Sequence, residues 1–68
     1  MLQYTPKAYA TRGGFLPFVA ISYNDRPRGE KKTGRLAKTR AAAIAAARAA
    51  AIRSKAELSA AGFLVRVA

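Results

Sequence analysis

The side chains best suited to binding chemistry form a basic stretch between Asn24 and Arg40. Only Asp25 and Glu30 oppose its cations. Ammonium and guanidinium groups this close together repel one another unless an anion or solvent screens them, so the stretch predicts an anionic partner. Its candidate phosphate-binding cations are Arg26, Arg28, Lys31, Lys32, Arg35, Lys38 and Arg40.

The end of this stretch also predicts a more specific site. Thr39 is a suitable N-cap, because its hydroxyl can accept a hydrogen bond from the first turn of an alanine-rich helix. A helix N-terminus carries about half a positive charge, which disfavours nearby cations but favours a bound phosphate. Lys38, Thr39 and Arg40, with the backbone N–H groups of Ala41 and Ala42, are therefore expected to converge on one phosphate. The alternative is an ordinary solvated loop on a basic protein.

A second candidate surface is the side of the sheet opposite the presumed core, where aromatic rings lie among charges. Lys7, Tyr9 and Arg12 are its main members, and Phe18, Arg35 and Arg66 are possible additions. A β-surface of this kind can enter a DNA groove or stack on unpaired bases. The alternative is that Tyr9 and Phe18 pack against a neighbouring strand or a dimer mate. Arg48 and Arg53 can extend a phosphate track along the helix, but isolated helical arginines more often serve solubility.

The composition argues against an enzyme. The chain has no histidine and no cysteine, and its three carboxylates are scattered, so general bases, thiolates and metal ligands are nearly absent. We therefore expect no cofactor and no metal. The lack of cysteine suits a cytoplasmic protein, and no segment has the apolar length of a signal peptide or a membrane span. A net charge of +10 favours nucleic acid as partner, followed by an acidic protein.

The sequence patterns predict one small domain over residues 1–68, with a core thin enough that a homodimer would help its stability. Apolar residues alternate along two predicted strands that flank a Gly-rich turn. Pro6 predicts that the first strand is an edge or carries a bulge there, and Pro17 suggests a bulge in the second. A third, polar strand is expected before the helix. The three predicted strands are Leu2–Ala10, Phe15–Tyr23 and Lys31–Lys38.

The predicted helix runs from Arg40 to at least Arg53, and two alternatives follow. A straight helix places Ile44, Ile52 and Leu58 on one side, but Arg48 and Lys55 project between them, which suggests a break. Either a second helix begins at the Ser54-x-x-Glu57 capping box, or one helix continues to Ala61.

Gly62 fits the position just after the helix. A last strand, Phe63–Val67, is then expected to turn Phe63, Val65 and Val67 inward. The expected fold is α+β, with a small antiparallel sheet of three to four strands packed on one alanine-rich helix in the order β-β-β-α-β.

Three strands followed by a helix, with basic residues on strands and turns, resemble the small DNA-binding domains of the AP2 and phage-integrase arm-binding type. The resemblance covers roughly residues 3 to 53, rests on element order and charge, and implies that the sheet lies in a DNA groove. The final strand departs from that pattern. The element order also looks like HicB-type antitoxins, which are commonly acidic, and the composition is similar in kind to small phage-encoded inhibitors of host defence.

The function expected from the sequence is a non-enzymatic nucleic-acid-binding module, with DNA favoured over RNA. Its phosphate contacts come from the basic loop and the helix start. The alternative is a small phage-type interaction or inhibitor protein, for example an anti-defence protein, that docks its basic surface on an acidic protein partner. Exposed aromatic residues such as Tyr9, Phe18 and Tyr23 favour that second function.

Overall fold

A four-stranded sheet carries one helix on a single face in the computed structural model, which describes residues 1–68. The strands follow the order β3-β2-β1-β4 across the sheet. Strand β4 pairs parallel to β1, because the helix returns the chain along the sheet before β4 begins, and the other pairs are antiparallel. The α+β class and the element order are confirmed, in a mixed sheet. The elements are β1 Leu2–Thr11, β2 Gly14–Tyr23, β3 Arg26–Lys32, α1 Arg40–Ala60 and β4 Val65–Val67.

The β1–β2 hairpin is regular throughout, so the bulge expected at Pro17 is wrong. Pro6 lies in no bulge but on the part of β1 that β4 leaves as an edge, which is the other alternative for that residue. Its register runs without a break from Leu2 opposite Tyr23 to the turn. Pairs in such a ladder alternate between hydrogen-bonded and non-hydrogen-bonded, and the two-residue turn places both prolines in the second kind. At both positions the N–H that proline lacks would point away from the hairpin. No outer strand needs it there, because the pairing with β4 does not reach Pro6 and the pairing with β3 does not reach Pro17.

The third strand begins earlier than the predicted Lys31–Lys38, and that prediction is wrong. Asn24 and Asp25 have φ values of 50° and 66°, which form a two-residue turn of the type that hairpins favour. Strand pairing therefore resumes at Arg26, and it ends at Lys32. The bulge of this sheet lies here, where the register shifts between Ile21 and Ser22.

The loop after β3 is fixed to the start of β2. Phe15 and Ala37 exchange two backbone hydrogen bonds of 2.8 Å, which hold residues 33–39 against the sheet edge. Gly14 permits this approach, since a Cβ atom there would lie 2.5 Å from the carbonyl oxygen of Ala37. The residues expected to continue β3 are thereby carried towards the helix start instead.

A single helix runs from Arg40 to Ala60, so the alternative of one long helix is confirmed and the break at Ser54 is wrong. Thr39 is the N-cap, and its hydroxyl accepts a hydrogen bond of 3.1 Å from the Ala42 N–H. Gly62, with φ of 95°, ends the helix. The N–H groups of Gly62 and Phe63 donate to the carbonyls of Ser59 and Leu58, which is a Schellman motif.

The helix packs on the sheet through alanine. Ala43, Ala47 and Ala51 follow one another at four-residue spacing and are 0%, 0% and 1% exposed. We call these three residues the alanine stripe. Ala47 and Ala51 form a buried cluster with Val19 of β2. The larger side chains packed around that cluster are Tyr4, Ile21 and Val67.

The bulkier helix residues lie outside this contact. Ile52 is 55% exposed, and Ile44 and Leu58 are only partly buried. Sheet side chains already fill the space between the layers, so the smallest helix residues give the closest packing.

The last strand is shorter than predicted, and Phe63 does not face inward. The Phe63 N–H belongs to the helix cap, so the chain becomes extended only afterwards. Phe63 is 55% exposed, whereas Val65 is buried and Val67 is partly buried, as expected for those two.

Enlarging the central alanine should destabilise the protein. Ala47→Leu inserts three carbon atoms into a fully buried contact, and we expect a loss of about 1–3 kcal/mol in the free energy of unfolding. Ala45→Leu makes the same change on the exposed side of the helix, where we expect an effect within about 0.5 kcal/mol. Urea denaturation followed by circular dichroism measures both. Equal effects at the two positions would contradict packing through the alanine stripe.

Candidate nucleic-acid interface

Strand β3 is the most exposed element of the sheet. All seven of its residues are exposed, because α1 contacts β1, β2 and β4 but not β3. Its cations point to both sides. Lys31 lies opposite Val19 and faces the helix side, whereas Lys32 lies opposite Phe18 and faces the other side. We call the sheet surface opposite the helix the open face.

The remaining cations of β3 lie near its turn. Arg26 pairs with Tyr23 at the first position of the strand. Arg28 is the extra residue at the bulge, and the central carbon of its guanidinium lies 5.7 Å from the centroid of the Tyr23 ring. At that distance the ring attracts the cation, and this orients Arg28 without neutralising its charge.

The positive charge of the protein stays almost entirely available to a partner. All thirteen basic residues are exposed. Among them only Arg40 and Arg48 donate side-chain hydrogen bonds, and both donate to backbone carbonyls, those of Ala8 and Ala68. Fields from unneutralised cations add over the surface and attract polyanions.

The helix start does not bring its three predicted side chains together around one open site. The Thr39 hydroxyl already accepts from Ala42. Arg40 turns towards the sheet, where it donates to the Ala8 carbonyl at 3.3 Å and lies 5.2 Å from the centroid of the Phe15 ring. Lys38 is exposed, as is Arg35 in the same loop. Phosphate binding by Lys38, Thr39 and Arg40 stays a prediction, and two of these side chains have intramolecular partners.

The open face contains one aromatic pair. Tyr9 stacks on Phe18, with ring centroids 4.1 Å apart and an angle of 8° between the planes. Phe18 is only 3% exposed, so its packing against a neighbouring strand is confirmed, whereas Tyr9 is 49% exposed. Lys7 lies opposite Phe18 in the pairing, Arg66 lies opposite Gln3, and Arg12 occupies the β1–β2 turn, all exposed.

One carboxylate, that of Glu30, lies among these cations, and the sequence analysis did not include it in the site. The Tyr9 hydroxyl donates to both oxygens of Glu30, at 3.1 and 2.9 Å. This hydrogen bond, with smaller contributions from desolvation and from the Glu30 charge, raises the pKa of Tyr9 above its ordinary value of 10.0. The contact depends on the true start of β3, which places Glu30 opposite Ala20 beside the ring pair.

An apolar cluster at one end of the molecule was also missed. Phe63 and Leu64 are 55% and 74% exposed, and with Tyr23 they surround a hollow of about 390 Å³ at the N-terminus. This cluster was not expected, because the sequence pattern predicted that Phe63 faces inward. We call it the apolar end, and its members are Met1, Leu2, Tyr23, Phe63 and Leu64.

No protein-family model, no curated protein and no solved structure matches this chain. The resemblance to AP2 and phage-integrase arm-binding domains therefore stays a prediction based on element order and charge. No helix in the structure combines the length and the apolar character that crossing a membrane requires.

Removing the Glu30 carboxylate should lower the pKa of Tyr9 towards its ordinary value. In Glu30→Ala the phenol loses its acceptor, so we expect Tyr9 to ionise at lower pH than in the wild type. An alkaline titration followed by NMR at the Tyr9 ring distinguishes it from Tyr4 and Tyr23. The raised pKa means that this contact stabilises the fold below pH 10 and that the contribution is lost as pH rises through the folded-state pKa. An unchanged Tyr9 titration would contradict the assignment.

Proposed function

We propose that this chain is a non-enzymatic nucleic-acid-binding module that binds DNA phosphates through β3 and the loop that follows it. The observation that carries the proposal is the complete exposure of β3, with cations on both of its faces. An edge strand with this composition offers charge in two directions at once. Arg35 and Lys38 continue the basic surface beyond the strand.

Duplex DNA fits these features better than a single strand does. The major groove of B-form DNA, about 12 Å wide, admits a two-stranded ribbon, whereas that of A-form RNA is too narrow and deep to be read. The β2–β3 hairpin forms one edge of the sheet, and all seven residues of its outer strand β3 are exposed, so we expect this edge to enter the groove. Binding of unpaired bases needs several rings free to stack among the cations, but on the open face Phe18 is buried beneath Tyr9, which leaves only the Tyr9 ring exposed.

The salt dependence of duplex binding tests the proposal. If about six phosphates are neutralised, the logarithm of the association constant should fall against the logarithm of salt concentration with a slope of roughly −5. Arg26→Gln with Arg28→Gln removes two contacts from β3, so we expect weaker binding and a slope reduced in size by about 2. Fluorescence anisotropy titrations of a labelled duplex at several salt concentrations measure both quantities.

The matched control removes the same charge from the helix. Arg48→Gln with Lys55→Gln lowers the net charge equally, and both residues are exposed on α1. We expect the slope of this variant to match the wild type. Equal losses in the two variants would mean that only net charge matters, and no duplex binding at low salt would refute the proposal.

A second candidate function, an interaction protein or small phage-type inhibitor that docks on an acidic protein, is favoured by the apolar end. Exposed aromatic and aliphatic side chains beside arginine are typical of binding hot spots, and Arg28 lies against Tyr23 there. An acidic partner would complement the surrounding charge. A homodimer through the same surface would bring together two chains of charge +10, which repel each other.

This second function predicts a complex that nuclease does not dissolve. The tagged wild type should retain one acidic protein in stoichiometric amount from a nuclease-treated cell lysate, and Phe63→Ser with Leu64→Ser should lose it. Ile52→Ser is the control, since Ile52 is equally exposed but lies on the helix away from the apolar end. Retention by the double variant, or release by nuclease, would exclude this function. A dimer in sedimentation that the double variant abolishes would instead assign the surface to self-association.

A further inference from the structure

A cleft of about 380 Å³ separates β3 from the C-terminal half of α1 on the helix side of the sheet. It exists because the helix does not reach β3. Its floor contains the partly buried side chains of Tyr4 and Ile21, which pack around the buried Val19. This size falls within the range of about 300–1,000 Å³ that is typical of pockets for small ligands.

The two walls of the cleft carry positive charge from distant parts of the chain. Lys31 comes from β3, and Arg53 comes from α1. Glu57 is the one carboxylate among the lining residues, so these three side chains leave the lining with a net positive charge. None of the three has a hydrogen-bond partner elsewhere in the protein. A concave site of one dominant charge sign concentrates ions of the opposite sign.

A buried hydroxyl in the same cleft provides an independent indication of a ligand. Thr33 follows β3 and lines the cleft, and its Oγ1 atom is buried without any hydrogen-bond partner. Buried polar atoms are nearly always paired, because leaving one unpaired is costly. The backbone of Thr33 is held in place, since its N–H donates to the Pro17 carbonyl at 3.2 Å. The unpaired hydroxyl thus belongs to a residue that lines the same cleft as Lys31 and Arg53.

We propose that this cleft binds an organic phosphate of mononucleotide size. The phosphate lies between Lys31 and Arg53 and accepts a hydrogen bond from the Thr33 hydroxyl, which a rotation of that side chain brings out of its buried position. The flat ring of the ligand rests on Tyr4 and Ile21. Charge-assisted bonds to the phosphate and apolar contact with the ring explain why cations surround an apolar floor. Arg53 and Glu57 lie on α1 and take no part in the proposed duplex contact, so each proposal can fail alone.

Thr33→Val provides the sharpest test, because it replaces the hydroxyl by a methyl group of nearly the same size. Removing an unpaired buried hydroxyl should leave the free protein as stable as the wild type or more stable. Removing a phosphate donor should weaken the binding of adenosine 5′-monophosphate about tenfold. NMR titration of backbone amides at Ala50, Thr33 and Ser54 measures binding, and urea denaturation measures stability. Unchanged affinity in this variant would overturn the proposal.

Charge variants on the helix supply matched controls. Arg53→Ala should weaken binding at least as much as Thr33→Val does. Lys55→Ala removes the same charge two residues further along the helix, outside the cleft, and should leave the affinity for the monophosphate unchanged. Glu57→Gln removes a like charge beside the phosphate and should strengthen binding by about threefold. Equal weakening by Arg53→Ala and Lys55→Ala, or no gain with Glu57→Gln, would contradict a site in the cleft.

Different probes distinguish which part of the ligand the cleft binds and whether the ligand is a free nucleotide or a strand end. Adenosine without phosphate and inorganic phosphate alone should each bind more weakly than the monophosphate, because each keeps only half of the contacts. A short single-stranded oligonucleotide with a 5′-phosphate should shift the same amides if the natural source is a strand end, whereas a free nucleotide as source predicts shifts with the monophosphate only. Failure of the monophosphate and the oligonucleotide together would refute the cleft proposal without affecting duplex binding.

Discussion

The fold depends on how closely α1 approaches the sheet. A chain of 68 residues buries few large side chains, and here the fully buried contact is made by the alanine stripe against Val19. Alanine loses no side-chain entropy on burial and favours the helix, so the stripe supplies close packing at little cost. The larger apolar residues of the sheet then fill the space beside it. The contact leaves little tolerance, because any added carbon must move the helix as a whole.

The same contact determines where the charge can act. Resting on β1, β2 and β4, the helix leaves β3 without a covering layer, and the residues of that strand must be compatible with solvent on both faces. Polar and charged residues meet that requirement, and Lys31 and Lys32 alternate between the two sides. Their repulsion is also easier to bear at an exposed edge, where water and salt screen it. Basic edge strands resist pairing with other copies of the chain as well.

Local signals predicted the parts of the fold that depend on neighbouring residues. Thr39 and Gly62 bound the helix as expected, because capping involves hydrogen bonds within one turn. The bounds of β3 could not be predicted in the same way. Asn24 and Asp25 both adopt the left-handed conformation and form the turn alone, so pairing resumes at Arg26. This early start of β3 places Glu30 beside Tyr9.

The predicted bounds of the last strand were wrong for a related reason. Alternation of apolar residues suggested Phe63–Val67, but Phe63 closes the helix cap through its N–H and so cannot yet be extended. The apolar end, which depends on the outward direction of Phe63, was therefore beyond prediction from periodicity alone.

Arg40 shows how the structure resolves a conflict that the sequence reveals. A guanidinium at a helix N-terminus opposes the helix dipole, and the sequence suggested that a phosphate would compensate. The protein relieves this unfavourable interaction internally instead. The Arg40 side chain turns away from the helix axis to the Ala8 carbonyl and the face of the Phe15 ring, two electron-rich partners on the sheet. Those partners are far away in the sequence, so no local pattern contains them. Lys31 and Arg53 are likewise brought to one cleft from separate elements, and there the neighbouring hydroxyl of Thr33 has no internal partner. An anion that compensates the charges of Lys31 and Arg53 is therefore better sought in that cleft. At the helix start, Arg40 already has partners within the protein.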